Sequence, residues 1–223
     1  MKSSFSHVSR DGVDRLQYRH LQVHVFGGGD VTFADVLRPA IAHRRVGLLY
    51  DAMLVMVASA FIALLAQVAI PLPFSPVPIT GQTFAVLLVG ALLGGVRGSL
   101  AISLYLMEGT IGLPVFAGGG AGLARLAGPT GGYLIGFIAA AFVVGLLAKR
   151  GWDRRIWSTA LAMLVGNVLI YAVGLPRLAQ FVGSERALSL GLYPFVIGDL
   201  LKLAVAAAAL PAGWKLLGWL GKA

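Results

Sequence analysis

Long apolar segments recur along most of this chain, and they constrain its fold more than any other feature. They begin near Val46, and the short stretches between them hold most of the charges that follow this residue. Across the chain 58% of residues are hydrophobic and 12% are charged, whereas a soluble domain has about 25% charged residues. A helix pairs nearly all of its backbone N–H and C=O groups within one segment, as a bilayer requires. The sequence therefore predicts an all-α integral membrane protein.

The apolar segments divide into six predicted transmembrane helices. The five residues Gly94–Gly98, which include Arg97, separate the second helix from the third. We interpret them as a tight turn, because an unpaired arginine at lipid depth costs at least about 2.5 kcal/mol and because glycines favour turns. The polar residues 174–191 are interpreted as a connector. The predicted spans are residues 46–70, 79–93, 99–113, 131–148, 156–173 and 193–217.

The basic residues predict how these spans are oriented. With the N-terminus inside, the outer connectors carry only Arg125, Arg177 and Arg186. Lysine and arginine concentrate on the cytoplasmic side of membrane proteins, so the chain is predicted to be N-in and C-in. Its net charge of +9 lies in short clusters between spans, which indicates contact with membrane lipid and no nucleic-acid partner. The predicted inner cations are Arg44, Arg45, Arg97, Lys149, Arg150, Arg154, Arg155, Lys215 and Lys222.

The two ends of the chain are predicted to be cytoplasmic. Residues 1–47 form an extension that we expect to be partly disordered, with a short amphipathic helix near 33–42. The membrane domain covers residues 48–217, and 218–223 is a short tail. We expect no metal site, because the spacing of the four histidines, all within 1–47, suits no tetrahedral ligand set. The chain has no cysteine, no catalytic pair and no Walker-type loop, so neither an enzyme nor a cofactor is predicted.

Two unusual loops lie on the predicted outer side. Residues 71–78 alternate proline with apolar residues and are predicted to be extended and polyproline-like. Residues 112–137 hold nine glycines and two prolines between apolar segments. Non-helical backbone at membrane depth is tolerated only where protein buries it or where it lines a cavity. We interpret this segment as the lid or floor of a binding site, and the alternative is a plain external loop.

Asp199 and Lys202 are the strongest candidates for a binding site. Ionisable residues inside a span are rare and usually functional, and a spacing of three places both on one helix face. Such a pair presents an acceptor beside a donor, which suits a ligand with adjacent N–H and C=O groups, such as a urea, an amide or a pyrimidine. A structural ion pair and a short proton relay are the alternatives.

Other polar residues lie where they could contact the same ligand. Gln82 and Tyr133 lie where the two outer loops enter helices, and Arg125 within the glycine-rich segment could meet an anionic group. An exposed outer cation is the alternative for Arg125. Asn167 lies inside the fifth span, where an asparagine either binds a ligand or hydrogen-bonds between helices.

Small residues recur along the first span. Ala52, Ser59 and Ala63 lie among them, and small residues let another helix approach closely. Docking of a partner helix and packing within the bundle both fit this pattern.

Four strings in this chain closely resemble the BioY family, the biotin-specific substrate-binding (S) components of energy-coupling factor (ECF) vitamin transporters. The similarity runs in order over about residues 48–217. The strings are IPLPFSPVPITGQT (70–83), IGLPVFAGG (111–119), GPTGGYLIGF (128–137) and GDLLK (198–202).

The resemblance implies a six-helix S-component bundle with an outward-facing biotin site. The family's acid and lysine match Asp199 and Lys202, and its glutamine and tyrosine match Gln82 and Tyr133. Some members have asparagine and arginine where this chain has Gly120 and Leu134. Backbone N–H groups, Arg125 or water are then the candidates for holding the carboxylate of biotin.

The resemblance also implies partners and a location. These are a transmembrane coupling subunit (EcfT-like or BioN-like) and ABC-type ATPase subunits (BioM-like) in the bacterial cytoplasmic membrane, and a homo-oligomer is compatible with the pattern. A solitary or proton-coupled vitamin carrier is the alternative.

Overall fold

Helices make up most of residues 31–38 and 44–221, the part of the chain that the computed structural model describes. In chain order these helices are α1 (Phe33–Val36), α2 (Arg44–Gln67), α3 (Gln82–Leu93), α4 (Gly95–Thr110), α5 (Leu123–Ala127), α6 (Gly131–Lys149), α7 (Ile156–Val182), α8 (Ser184–Gly191) and α9 (Tyr193–Trp219). Three of them, α2, α6 and α7, are long and apolar enough to cross a membrane, as is the continuous run of α8 and α9. Helices α3 and α4 are shorter, with 12 and 16 residues. These spans agree with the predicted multi-pass membrane protein.

The chain folds back between α3 and α4, as the glycines around Arg97 predict. Gly94 ends α3 with φ of +82°, a conformation that favours glycine. A Cβ atom on Gly98 would lie 3.0 Å from the Cα atom of Gly90. Residues eight apart in a continuous helix are separated by about 12 Å, so this contact requires a reversal.

Helix α6 packs against α3, α4 and α7 and forms the centre of the bundle. Close backbone approach makes this possible. A Cβ on Gly90 would lie 2.6 Å from the carbonyl oxygen of Ala141, and one on Gly145 would lie 2.2 Å from the backbone nitrogen of Gly95. Glycines at these positions therefore let α6 lie directly against the α3–α4 reversal.

The proline-rich loop differs from its prediction. It is extended as expected, but it forms an antiparallel hairpin of β1 (Ala69–Leu72) and β2 (Ser75–Thr80) and not an unpaired polyproline-like segment. Ile70 pairs with Ile79, and the register is irregular beside Pro71, which has no N–H to donate. The described residues are thus helical apart from this hairpin and their loops.

The prediction of a polar connector at 174–191 is wrong. Helix α7 continues through Pro176 to Val182, and α8 follows after Gly183. Leu178 is fully buried and lies beside Gly191, so α8 folds back on the end of α7. Burial of such apolar side chains stabilises helix in a segment whose composition favours a loop.

The described part of the N-terminal extension packs against the bundle. Asp35 lies 2.6 Å from Arg97, which also lies 3.0 Å from Asp51 on α2. The rings of Phe33 and Trp214 are 4.5 Å apart. Arg97 is therefore paired beside the α3–α4 reversal. The four histidines and the rest of the predicted extension, as well as Lys222, lie outside the described residues.

Candidate functional site

A cavity lies between the β-hairpin, the glycine-rich segment and helices α3, α6, α7 and α9. Its wall is mostly apolar, with a few convergent polar groups. The lining residues are Val77, Pro78, Thr80, Gln82, Thr83, Phe116, Ala117, Arg125, Thr130, Tyr133, Leu134, Phe137, Ile170, Tyr171, Phe195, Asp199 and Lys202.

Asp199 and Lys202 on α9 lie together in this cavity, as their spacing predicts. The Lys202 Nζ atom is 3.2 Å from Oδ1 of Asp199 and donates a hydrogen bond of 2.9 Å to Oγ1 of Thr83. The hydroxyl of Tyr171 donates to the other carboxylate oxygen of Asp199. Asp199 is 7% exposed, and its charge is balanced by Lys202 at short range. Three helices, α3, α7 and α9, thus converge on one carboxylate.

This cluster can bind a small polar group from several sides. The carboxylate accepts hydrogen bonds from N–H groups, and the ammonium donates to a carbonyl. Hydrogen bonds to charged groups are about twice as strong as neutral ones. Because the cluster is nearly enclosed, a ligand that matches both groups replaces water at little cost, whereas one that matches neither leaves them unpaired.

Aromatic and aliphatic side chains form the rest of the wall. Phe116, Phe137, Phe195 and Ile170 line the cavity, and all four are buried. A cavity that is charged at one point and apolar over most of its wall suits a ligand with one hydrogen-bonding ring and an apolar remainder.

Gln82 lines the cavity at the start of α3, as the sequence predicts. Its amide nitrogen donates to the hydroxyl of Tyr105, and its amide oxygen accepts from Oγ1 of Thr80 over 3.2 Å. Tyr105, which is fully buried, in turn donates to the carbonyl oxygen of Val115 over 3.2 Å. Gln82 therefore links α3 to the glycine-rich segment through Tyr105.

Tyr133 lines the cavity through its ring and not through a free hydroxyl. The hydroxyl donates to the carbonyl oxygen of Gly191 over 3.0 Å. The ring lies edge-on to that of Tyr171, with centroids 6.1 Å apart. Tyr133 thus joins α6 to the end of α8 and supports the tyrosine that contacts Asp199.

Arg125 and Gly120 lie together in the glycine-rich segment. Arg125 lines the cavity from α5, and a Cβ on Gly120 would lie 2.7 Å from its Nε atom. Gly120 itself is absent from the lining. A glycine at 120 therefore leaves room for the guanidinium group at the edge of the cavity.

Asn167 lies outside this cavity. It lines a smaller void with Thr83 and Lys202, which border both spaces. Its amide oxygen is buried and has no hydrogen-bond partner among the described residues. The structure therefore separates Asn167 from the other predicted site residues, although it places Asn167 next to Lys202.

The small residues of α2 differ in how deeply they are buried. Ser59 is fully buried and donates a hydrogen bond of 2.6 Å to Oε2 of Glu108 on α4. Ala52 is exposed and Ala63 is half-buried. Ser59 thus belongs to packing within the bundle, while docking through Ala52 and Ala63 stays a prediction.

The candidate set from the sequence lacks both Tyr171 and Thr83. Tyr171 follows Asn167 by one helical turn inside an otherwise apolar span. A tyrosine at that depth carries a hydroxyl that requires a partner. This requirement could have identified Tyr171 as a candidate from the sequence. The identity of its partner, however, depends on how α7 and α9 pack.

The chain is similar to several known proteins. A family model described as the BioY family matches residues 38–219. A probable biotin transporter BioY of Pyrococcus horikoshii is 43% identical over 141 residues, which cover 63% of this chain and 82% of that protein. The biotin transporter BioY of Thermotoga maritima is 47% identical over 139 residues, covering 62% and 81% respectively.

A solved structure is similar over most of its length. It is the crystal structure of the S-component for biotin from an ECF-type ABC transporter. It superposes with a TM-score of 0.67 at 27% sequence identity, and the match covers 78% of this chain and 95% of that chain.

Proposed function

Because the chain belongs to the BioY family, we propose that it takes up biotin as the substrate-binding (S) component of an ECF-type importer. The cavity is the site at which biotin is captured from outside the cell. Relatives with 40–47% identity over more than four-fifths of their own length are biotin transporters by name, and this similarity supports the assignment.

The polar cluster of Asp199 and Lys202 is the observation that carries this proposal. The bicyclic head of biotin contains a urea, in which two N–H groups flank one carbonyl. Asp199 accepts from a urea N–H group, and Lys202 donates to the carbonyl oxygen. Tyr171 and Thr83 hold the two charged groups in position. The apolar remainder of biotin lies against the aromatic wall that includes Phe116 and Phe195.

The remaining site residues act at the edge of the same cavity. Gln82 links α3 to the glycine-rich segment through Tyr105, and Tyr133 joins α6 to the end of α8 through Gly191. Arg125, with space provided by Gly120, offers a cation for the carboxylate of biotin. Backbone N–H groups and water are the other sources of hydrogen bonds for that carboxylate.

The membrane arrangement that supports this function has six spans with both termini in the cytoplasm. Helices α3 and α4 each cross as one short span, since the chain reverses at Gly94. The excess of predicted inner over outer cations supports this orientation. The membrane is the bacterial cytoplasmic membrane, and residues 1–47 and 218–223 lie on its inner side.

Transport requires partners that supply energy. The sequence has no Walker-type loop, so we assign ATP hydrolysis to ABC-type ATPase subunits. A transmembrane coupling subunit joins them to this chain. The exposed Ala52 and half-buried Ala63 on α2 offer a face on which a partner helix can approach closely.

Equilibrium binding tests the proposal directly. Biotin is titrated into the detergent-purified chain in a calorimeter, in parallel with the folded variant Asp199→Asn. We expect saturable one-to-one binding by the parent and a large loss of affinity in the variant. A well-folded parent that binds no biotin would refute the assignment of the substrate. Parent binding that survives Asp199→Asn would move the site away from α9.

A further inference from the structure

We propose that Gln67 is a positioning residue that clasps the cap loop over the cavity and thereby sets how fast the ligand enters and leaves. The cap loop is defined as residues 111–122, between α4 and α5. The proposal rests on the function proposed above, because it concerns access to the same cavity.

Gln67 is the last residue of α2 and makes contacts with the cap loop through both ends of its amide. Its nitrogen donates over 3.0 Å to the carbonyl oxygen of Ala63 in α2, and it also lies 3.3 Å from the carbonyl oxygen of Val115 and 3.4 Å from that of Phe116. Its oxygen accepts a hydrogen bond of 3.0 Å from the backbone N–H of Gly119. One side chain thus engages three backbone groups across a separation of about 50 residues.

The clasped segment forms part of the cavity wall. Phe116 and Ala117 both line the cavity, and Phe116 is 2% exposed. Gly118 and Gly119 have φ of +66° and +72°, a region that non-glycine residues rarely adopt. These two glycines turn the chain so that the Gly119 N–H group reaches Gln67. Release of Gln67 therefore frees residues that stand between the cavity and the exterior.

Tyr105 is a second anchor for the cap loop, and it holds only the end near Val115. The hydroxyl of Tyr105 donates to the carbonyl oxygen of Val115, and the rings of Tyr105 and Phe116 lie edge to face. Tyr105 is fully buried, whereas Gln67 is exposed. Exposed hydrogen bonds exchange with water at low cost, while buried ones do not. Opening is consequently expected at residues 117–119, with the chain near Val115 and Phe116 as the hinge.

The β-hairpin, which also lines the cavity, is tied to the same helix end. The backbone N–H of Gly81 donates to the carbonyl oxygen of Val68, directly after Gln67, over 3.0 Å. The end of α2 therefore holds both segments that cover the cavity. Gln67 secures the cap loop, and the backbone secures the hairpin.

Binding kinetics provide the first test. Gln67→Ala removes all three contacts with the loop, and Gln67→Glu keeps the acceptor for Gly119 but removes both donors. The matched control is Gln180→Ala at the end of α7, where the amide accepts from Arg177 and does not contact the cap loop. Association and dissociation of radiolabelled biotin are followed for each detergent-purified chain.

We expect the dissociation rate constant to rise about tenfold in Gln67→Ala, as for the loss of one to two hydrogen bonds. The association rate constant should rise as well, so that Kd changes less than either rate. Gln67→Glu should follow Gln67→Ala, and Gln180→Ala should keep the parent rates. A purely structural role for Gln67 would lower thermal stability and leave both rate constants unchanged, which would overturn the proposal.

A distance measurement tests the clasp without any ligand. The chain contains no cysteine, so the pair Ala121→Cys and Arg186→Cys places spin labels on the cap loop and on α8. Both positions are exposed. We expect Gln67→Ala to broaden the distance distribution towards longer values, and Gln180→Ala to leave it unchanged. An unchanged distribution in Gln67→Ala overturns the clasp. Failure of the parent to bind biotin overturns the proposed substrate and leaves this test decisive for the loop.

Discussion

Replacement of Lys202 by methionine separates the stability of the polar cluster from its role in binding. The variant keeps most of the side-chain volume and removes the ammonium group. In the free protein that group contacts Thr83 over 2.9 Å and Asp199 over 3.2 Å. Asp199 then retains the hydroxyl of Tyr171 and a long contact of 3.5 Å with Thr83. A carboxylate that is 7% exposed is left without its counter-ion.

These contacts allow the loss of stability and the loss of affinity for biotin to be estimated separately. Breaking a buried ion pair by removing one partner costs about 3–5 kcal/mol. The Lys202 side chain is 22% exposed, so water moderates the loss. We therefore expect the free energy of unfolding to fall by roughly 2–3 kcal/mol. Biotin in addition loses one charge-assisted hydrogen bond of about 1.5–3 kcal/mol, which raises Kd by about 10- to 150-fold.

The assay compares four chains by calorimetry with biotin and by thermal unfolding in detergent. They are the parent, Lys202→Met, Asp199→Asn and the double variant. The double variant contains no stranded charge, so we expect it to regain much of the lost stability. It still lacks the donor for the urea carbonyl, so its affinity should stay low. The second substitution is thus predicted to restore stability without restoring affinity.

Lys215→Met is the matched control. Lys215 lies on the same helix but is exposed near its C-terminal end, so its replacement should change neither quantity. The reasoning is refuted if folded Lys202→Met binds biotin with the parent Kd, because the ion pair would then serve only the packing of α9. It is also refuted if the double variant recovers the parent affinity.

Three further predictions concern thermal unfolding in detergent. Burial raises the pKa of Asp153 to about 6, above an ordinary value of 3.8. The folded protein therefore loses stability as the pH rises through this interval. Asp153→Asn should have a higher melting temperature than the parent at pH 8 and the same melting temperature at pH 4. Burial alone would raise the pKa of Asp35, but hydrogen bonds, above all from Arg97, outweigh it and lower that pKa. The stabilisation that Asp35 provides is complete above its ordinary pKa and is lost as the pH falls through its pKa in the folded protein. Asp35→Asn should therefore have a lower melting temperature than the parent at pH 7, with a difference that shrinks towards pH 3. Gly145→Ala inserts a Cβ 2.2 Å from backbone and should cost about 1–3 kcal/mol, whereas Gly198→Ala, which meets no atom within 4 Å, should not lower the melting temperature.

The sequence predicts the α3–α4 reversal because its signals are local. Glycines cluster within five residues, and the cost of burying Arg97 excludes a continuous helix. The partners of Arg97 were not predictable in the same way. Asp35 lies 62 residues away in a segment without apolar periodicity. Only the packing of that segment against the bundle brings its carboxylate to the arginine.

The β-hairpin and the end of α7 were not predicted for a related reason. Alternating prolines restrict the backbone to extended conformations, but they do not determine whether the extended chain pairs with itself. The pairing of Ile70 with Ile79 depends on the two-residue loop between the strands. In the segment after Val173, the burial of Leu178 and Ala187 outweighs Pro176 and the polar composition, which favour a connector.

Asp199 and Gln67 illustrate what a polar residue in an apolar chain reveals. The cost of placing either in a membrane indicates that a partner exists. For Asp199 the nearest partner, Lys202, lies on the same helix at a spacing of three, so the pair is evident in the sequence. Apart from the carbonyl oxygen of Ala63 on its own helix, the partners of Gln67 are two carbonyls and one N–H group of the cap loop. Backbone groups are the same at every residue, so no sequence pattern identifies which ones a distant amide will bind. For that reason the pair of Asp199 and Lys202 was predictable from residue types, whereas the contacts of Gln67 with the cap loop required the structure.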